Sequence, residues 1–94
     1  MRDPSGADLL LFARALMLVP AEARASVAAR ILHEVDVADQ HLRVQNRCHP
    51  AFGDGSLMSR CLLLLPPAEP MLSDRDFLSS TIVACQSLLQ HSKL

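Results

Sequence analysis

The side chains best suited to chemistry lie together in one short stretch, residues 49–60, whose sequence is HPAFGDGSLMSR. An imidazole, an aromatic ring, a carboxylate and a hydroxyl occur within eight residues, at His49, Phe52, Asp54 and Ser56. Asp54 stands between two glycines, where its carboxylate or the neighbouring N–H groups could meet a ligand, and Ser56 could hold an anion at a helix start. These four residues are the candidate ligand-binding residues.

A structural interpretation of the same stretch is favoured over a binding site. Phosphate-binding loops need several glycines at fixed spacing, followed by Lys and then Ser or Thr, and this stretch has no lysine. Gly53 and Gly55 supply backbone freedom at a turn. Asp54 or Ser56 can cap the next helix, and Phe52 can dock the loop on the core. We therefore predict a hinge between two helices, with a small-ligand or metal-binding module as the alternative.

The histidines and carboxylates of the second helical segment are too scattered to predict a metal site. His33 and His41 are eight residues apart, which is about 12 Å along a helix, so they cannot share one metal ion directly. Asp36 and Asp39 are three apart, but a di-metal bundle needs a Glu-x-x-His pair from more than one helix. We predict a solvated face here, with no metal and no cofactor.

The three cysteines, Cys48, Cys61 and Cys85, are an odd number at irregular spacing and include no C-x-x-C pair. Cys61 and Cys85 lie on apolar helical stripes, so we expect buried and inert thiols there, whereas Cys48 lies in the polar hinge and could react. Free thiols are typical of a reducing compartment, which predicts a cytoplasmic protein. No cysteine has a recognisable His–Asp arrangement. We therefore predict no catalytic residue and no enzyme activity.

The composition excludes several classes of function and favours helices. The net charge is −1 and the pI is near 6.4, so the chain lacks the basic field that binding to nucleic acid or to an anionic membrane requires. Arg14 interrupts the first apolar run, which is neither a secretory signal nor a membrane span. Half of the residues are apolar but only 3% are aromatic, and this balance indicates an all-α fold.

Helix-start signatures and prolines divide the chain into four helices. Ser5 with Asp8, and Ser73 with Asp76, have the spacing of a capping hydroxyl and a first-turn acid. Pro20 and the pair Pro66-Pro67 end helices. The predicted architecture is an all-α, four-helix, mostly antiparallel small bundle with one long central helix and one short apolar helix. It forms a single domain over residues 1–94, with helices at about 6–18, 21–46, 56–65 and 74–90.

The second helix is the longest and carries a narrow apolar seam. The seam residues recur at steps of four, four, three and four, as in a coiled coil, and are Val27, Ile31, Val35, Ala38 and Leu42. Two ion pairs on the surface of this helix are predicted from their four-residue spacing. They join Arg30 to Glu34, and Asp39 to Arg43.

The chain has more apolar helical surface than a domain of this size can cover. The third helix is apolar on most sides, since Ser59 and Arg60 alone interrupt it. We therefore predict a non-enzymatic interaction module that forms a homodimer or docks on another protein. The predicted interface residues are Leu57, Leu62, Leu63, Leu64 and Leu65.

The segment HPAFGDGSLM, preceded by a helix rich in Ala, Asp and Arg, resembles a family of small bacterial all-helical proteins with an HPxWGxGSLM-like loop. That family is known only as a domain of unknown function. The resemblance covers roughly residues 13–65, and Phe52 stands where members often have Trp. Small residues follow in the family where this chain has Ser59 and Arg60. The resemblance implies no activity and no catalytic residue, and it supports residues 49–56 as a structural signature.

Overall fold

The computed structural model describes residues 1–92, and within them the chain forms no β-strand. A short 3₁₀ turn, Ala21–Ala23, precedes the second helix. The predicted all-α fold is confirmed. The four helices are α1 (Gly6–Leu16), α2 (Arg24–Gln45), α3 (Leu57–Leu62) and α4 (Arg75–His91).

The first helix begins as its sequence predicts. The backbone N–H of Asp8 donates to the Ser5 hydroxyl, and the Ser5 N–H donates back to the Asp8 carboxylate. This reciprocal pair satisfies two N–H groups that have no partner within a helix. The helix ends at Leu16, four residues before Pro20. Five of its eleven residues are buried, so α1 is the most deeply buried helix for its length.

The second helix has its apolar seam shifted from the predicted one. Val27 and Leu42 are only half-buried. The chain enters α2 through the 3₁₀ turn after Pro20, and tertiary packing then selects the side of the helix that faces α4. Ile31, Val35 and Ala38 are buried as predicted, and the buried set on this helix also includes Arg24, Ala28, Leu32 and Asp39.

The third helix is shorter than predicted. Ser56 caps it by accepting from the Ser59 N–H, and the helix ends at Leu62 instead of Leu65. After Leu62, the N–H groups of Leu64 and Leu65 donate to the carbonyls three residues earlier, as in a 3₁₀ turn. Leu65 takes a left-handed backbone conformation with φ of 53°. Leu65 precedes Pro66, and a residue before proline is disfavoured in the right-handed helical region.

The fourth helix begins one residue later than predicted. Asp74, and not Ser73, is the cap, since its carboxylate accepts from the Phe77 N–H. Asp76 instead reaches a different partner, Arg24. The buried residues of α4 are Phe77, Ser80 and Ala84. The expectation of a buried Cys85 is wrong, because that residue is exposed.

The core lies where α1 packs against α4 and α3 and where α2 packs against α4. α2 contacts α1 at few positions. Ser80 adds a polar bond inside this core, because its hydroxyl donates to the Ala13 carbonyl at 2.6 Å. The largest fully buried apolar side chains are Phe12, Phe77, Leu16, Ile31, Leu32, Leu57 and Val35.

One buried guanidinium joins the ends of three helices. Arg24 is only 4% exposed. Its Nε donates to the carbonyls of Leu16 and Val19, at and just beyond the end of α1, at 3.1 and 3.3 Å. Its two terminal nitrogens bind the Asp76 carboxylate at 2.8 and 3.1 Å in the first turn of α4. The Arg24 guanidinium is therefore paired with a carboxylate and donates to carbonyls at and beyond the end of α1.

Candidate functional site

The loop that follows α2 is closed by its own backbone. Asn46 ends α2 in the left-handed conformation, with φ of 57°. His49 and Gly53 then exchange two backbone bonds, N–H to carbonyl, at 2.9 and 3.2 Å. Gly53 has a φ of 89°, which is a conformation that side chains disfavour. The turn over residues 49–53 is therefore a fixed structure.

The His49 ring serves this turn. Its Nδ1 accepts from the backbone N–H groups of both Ala51 and Phe52, each at 3.0 Å. Both bonds use the same ring nitrogen, so the ring is held against the backbone of the turn. The ring stacks on Phe52, with centroids 4.6 Å apart, and His41 lies edge-on to it at 5.0 Å. His49 and Phe52 thus form part of an aromatic stack.

Arg60 lies over the Phe52 ring and also binds Glu34 on α2. Its guanidinium carbon lies 5.2 Å from the centroid of the Phe52 ring, which is within the range of a cation–π contact. Its Nε and Nη2 both lie 2.9 Å from Oε1 of Glu34. The predicted partner of Glu34 was Arg30. The pairing instead crosses from α2 to α3, where both side chains are largely buried.

Asp54 and Ser56 bind each other and the start of α3. Oδ1 of Asp54 accepts from the N–H and the hydroxyl of Ser56, at 3.0 and 2.7 Å. Arg2 donates to the Asp54 carbonyl and forms an ion pair with its carboxylate at 2.9 Å. The Ser56 hydrogen bond, with the Arg2 charge, holds the pKa of Asp54 below its ordinary value, although partial burial opposes the shift. The side chains of Asp54 and Ser56 are therefore both hydrogen-bonded within the chain.

Gly55 allows the loop to touch α2. Its φ is 88°, and a Cβ built there would lie 2.8 Å from the Cα of Asp39. Cβ atoms in proteins essentially never come this close to another heavy atom that is not bonded to them. The Asp39 Cα belongs to the α2 backbone and cannot rotate away. A Cβ at Gly53 would overlap the Ser59 hydroxyl. The two glycines are required by the close approach of loop and helices.

The four candidate ligand-binding residues do not converge on one cavity. Asp54 and Ser56 line a shallow surface groove of about 460 Å³, together with Met58, Ser59, Leu62 and Leu63. His49 and Phe52 do not line this groove and belong to the aromatic stack. The groove therefore has a polar edge at Asp54 and Ser56 and an apolar edge at Leu62 and Leu63.

The predicted interface residues divide between surface and core. Leu62, Leu63 and Leu65 are exposed, and Leu65 is the most open at 83%. Leu64 is partly buried against the core. Leu57 is 1% exposed and packs in the core, because the Ser56 cap directs the first turn of α3 inward. Leu57 therefore has no side-chain surface to offer a partner.

The three thiols differ in burial. Burial raises the pKa of the Cys61 thiol to about 12, so this cysteine is protonated at neutral pH. Cys48 and Cys85 are exposed. No group of three or more His, Cys, Asp or Glu side chains in residues 1–92 is placed to hold a metal ion. Within the same residues, every helix is too short or too polar to cross a bilayer.

The comparison with known families decides how the chain is classified. The model for the family described as domain of unknown function DUF7742 matches residues 2–88. The chain belongs to this family. The match extends over α1 and most of α4, beyond the region of the loop resemblance. No curated protein and no solved structure matches the chain.

Two polar features of this DUF7742 chain escaped the sequence analysis. One is Arg24, whose position in phase with Ala28, Ile31 and Val35 was the available signal. The other is the pair Asp36 and Asp39, which binds the N-terminus. The prediction that these acids lie on a solvated face is wrong for Asp39, because that residue is buried. The Met1 ammonium lies 3.2 Å from each carboxylate. Burial lowers the pKa of this ammonium, but its bonds to both carboxylates outweigh that effect and raise it.

The same acidic pair receives further partners from the fold. Arg43 pairs with Asp39 at 2.9 Å, as its spacing predicts. His91, at the end of α4, lies 2.9 Å from Asp36. The pair thus connects α2 to the N-terminal segment and to the last turn of α4, which is a structural role.

Proposed function

We propose that this protein is a non-enzymatic interaction module that forms a homodimer or docks on another protein. The observation that carries the proposal is its exposed apolar surface. Eleven large apolar side chains are exposed in the described part of the chain, which is many for a domain of this size. They are Leu18, Val37, Val44, Leu62, Leu63, Leu65, Met71, Leu72, Leu78, Ile82 and Leu89.

These side chains concentrate in two segments. One segment begins at the last residue of α3 and is called the α3 patch. Its members are Leu62, Leu63, Leu65, Met71 and Leu72. The other is the outer surface of α4, with Leu78, Ile82 and Leu89. Removing such surface from water stabilises a complex by about 25 cal/mol per Å². Either segment can therefore supply binding energy without any polar recognition.

The state of the loop favours interaction over ligand binding. His49, Asp54 and Ser56 all hold the chain in place through internal hydrogen bonds. A ligand using these atoms would have to break the bonds that close the turn and cap α3. A ligand module remains the alternative, and its test is native mass spectrometry with metal analysis. A bound metabolite or ion that the Asp54→Asn substitution removes would support it over our proposal.

The oligomeric state tests the proposal directly. Sedimentation velocity and light scattering from about 1 μM to about 1 mM should show a monomer converting to a dimer, because the apolar segments give an interface of modest size. A monomer at every concentration contradicts homodimer formation. The remaining part, docking on another protein, then requires a partner that loses affinity when Leu63 is replaced by Asp.

We also propose that the protein acts in a bacterial cytoplasm. The support is the family resemblance of the loop and the three free cysteines, since unpaired thiols persist in a reducing compartment. Fractionation of cells that express the protein tests this placement. Recovery of the protein outside the cytoplasmic fraction would contradict it.

A further inference from the structure

Helix α4 has apolar residues on two nearly opposite sides. The inner side is buried in the core and carries Phe77, Ser80 and Ala84. At about 100° per residue, the outer residues fall within an arc of about 60°, roughly 140° away from the inner ones. This outer stripe consists of Leu78, Ile82, Cys85 and Leu89, all of which are exposed. A helix of this kind has one side without a partner in its own chain.

The outer stripe lies in a stretch without charge. From Phe77 to Gln90 the chain has no Asp, Glu, Lys, Arg or His, and the residues beside the stripe are Ser79 and Gln86. A partner that placed a charged side chain here would bury it without a counterion, which is unfavourable. A second copy of the chain presents the same uncharged stripe, so Leu78, Ile82, Cys85 and Leu89 can be covered by it without burying a charge.

The spacing of the stripe is the same in both directions. Its steps are four, three and four residues, so an antiparallel copy places matching side chains opposite each other. With the two-fold axis between Ile82 and Cys85, Ile82 meets Cys85 of the second copy, and Leu78 meets Leu89 of the second copy. Symmetric dimers require such a self-complementary surface, and the same steps occur in helices that pack with interlocking side chains.

Shallow grooves lie on both sides of the stripe. One is formed with α2, where Ala25 and Ala29 face Gln86 and Gln90. The other is formed with Pro4 and Leu9, beside Cys85 and Leu88, and the charged groups Met1 and Asp3 together with His91 lie along its edge. Small residues in a groove allow the ridge of an approaching helix to come close. The surface available to a partner is thus wider than the stripe alone.

The size of this surface predicts a modest affinity. α4 has 17 residues and is about 25 Å long, and a helix with its flanking grooves is about 20 Å wide. The resulting area of about 500 Å² per copy is below the roughly 800 Å² of a standard stable interface. The dimer should therefore dissociate on dilution. The α3 patch provides no comparable geometry, because all of its members except Leu62 lie beyond the end of α3 and do not share one helix face.

We propose that two copies of this chain associate through the outer stripe of α4, with the two α4 helices antiparallel across a two-fold axis. This inference rests on the proposed self-association and specifies its surface. It makes Ile82 and Cys85 the centre of the interface, with Leu78 and Leu89 at the two ends.

Two exposed thiols allow a direct test in the unmodified protein. N-ethylmaleimide labelling of the full chain is followed by mass spectrometry at low and high protein concentration, with Cys85 as the probe and the exposed Cys48 as the internal control. The labelling rate of Cys85 should fall at least tenfold where the dimer forms, because the second copy covers it. The rate at Cys48 should stay unchanged. Equal rates at Cys85 in monomer and dimer would overturn the inference.

A pair of charge substitutions gives an independent measurement. Ile82→Asp should weaken the dimer at least tenfold in sedimentation equilibrium, whereas Val44→Asp, at a similarly exposed position on α2, should not change it. Circular dichroism verifies that both variants are folded. A dimer weakened tenfold by Leu63→Asp and unaffected by Ile82→Asp overturns the α4 interface while leaving self-association intact. A wild-type chain that is monomeric throughout overturns both.

Discussion

The 49–60 loop and the outer stripe of α4 are opposites in composition and in use. The loop contains an imidazole, a carboxylate and two hydroxyls, yet its candidate polar groups bind the loop itself, the start of α3 or Arg2. The stripe contains no charged group, and its large apolar side chains are exposed, from 42% at Leu78 to 64% at Leu89. Residues that can perform chemistry are here bonded within their own chain, whereas the aliphatic residues of the stripe are exposed.

The largest effect expected in this comparison is at Gly55. Gly55→Ala should lower the free energy of unfolding by about 3 kcal/mol, because it combines a disfavoured positive φ with an overlap against the α2 backbone. Urea denaturation measures the change. Gly6→Ala is the matched control, since Gly6 starts α1 and has open space around it. That control should leave stability unchanged or raise it by up to about 1 kcal/mol. Equal effects at both glycines would mean that the loop does not depend on this close contact.

A smaller loss is expected when the α3 cap is removed. Ser56→Ala deletes the acceptor for the Ser59 N–H and a donor to Asp54, so unfolding should become easier by about 1 kcal/mol. The exposed Ser79 on α4 provides the control substitution, Ser79→Ala, which should be close to neutral. If Ser56→Ala keeps full stability and instead abolishes binding of a small molecule, the ligand hypothesis for the loop gains over the structural one.

Acid should weaken the loop through Asp54. Its pKa is lowered in the folded chain by the Ser56 hydrogen bond and the Arg2 charge. The carboxylate therefore stabilises the fold above its ordinary pKa of 3.8, and this contribution is lost as the pH falls from there through the folded-state pKa. Unfolding of wild type and Asp54→Asn should accordingly differ most near neutral pH and converge in acid. A difference that does not change with pH would contradict this origin.

The smallest effect is expected at the outer stripe. Ile82→Ala should change monomer stability by less than about 0.5 kcal/mol, because this side chain is 58% exposed. The matched substitution Ile31→Ala removes the same atoms from a position that is 1% exposed, and should cost at least about 2 kcal/mol. Both are measured at a dilution where the chain is monomeric. A cost at Ile82 that approaches the cost at Ile31 would place the stripe inside the fold.

The fold was predictable wherever its determinants are close together in sequence. Ser5 and Asp8 form the expected capping pair, and Asn46 and Ser56 end and begin helices where turn-forming residues cluster. The start of α4 was missed by one residue, since Ser73 and Asp74 are both suitable caps and local sequence does not distinguish them. Cys85 was misplaced because α4 is apolar over most of its circumference. Only packing decides which of its two sides is buried.

The candidate site was less predictable because its contacts cross between helices. Glu34 has a suitable partner four residues earlier, yet it binds Arg60 on α3. The separation of His49 and Phe52 from the groove that Asp54 lines depends on the path of the turn, which the sequence does not specify. The buried position of Arg24 likewise needs Asp76, which is 52 residues away.

The placement of Arg24 has a consequence for how the molecule opens. One side chain binds the end of α1, belongs to the start of α2 and holds the start of α4. Fraying at the start of α2 removes Arg24 from both other ends, and fraying at either of those ends leaves a buried guanidinium without part of its hydrogen-bond partners. The three ends should therefore open together and not separately. We expect amide hydrogens near these ends to exchange with solvent at a common rate, as a single cooperative unit.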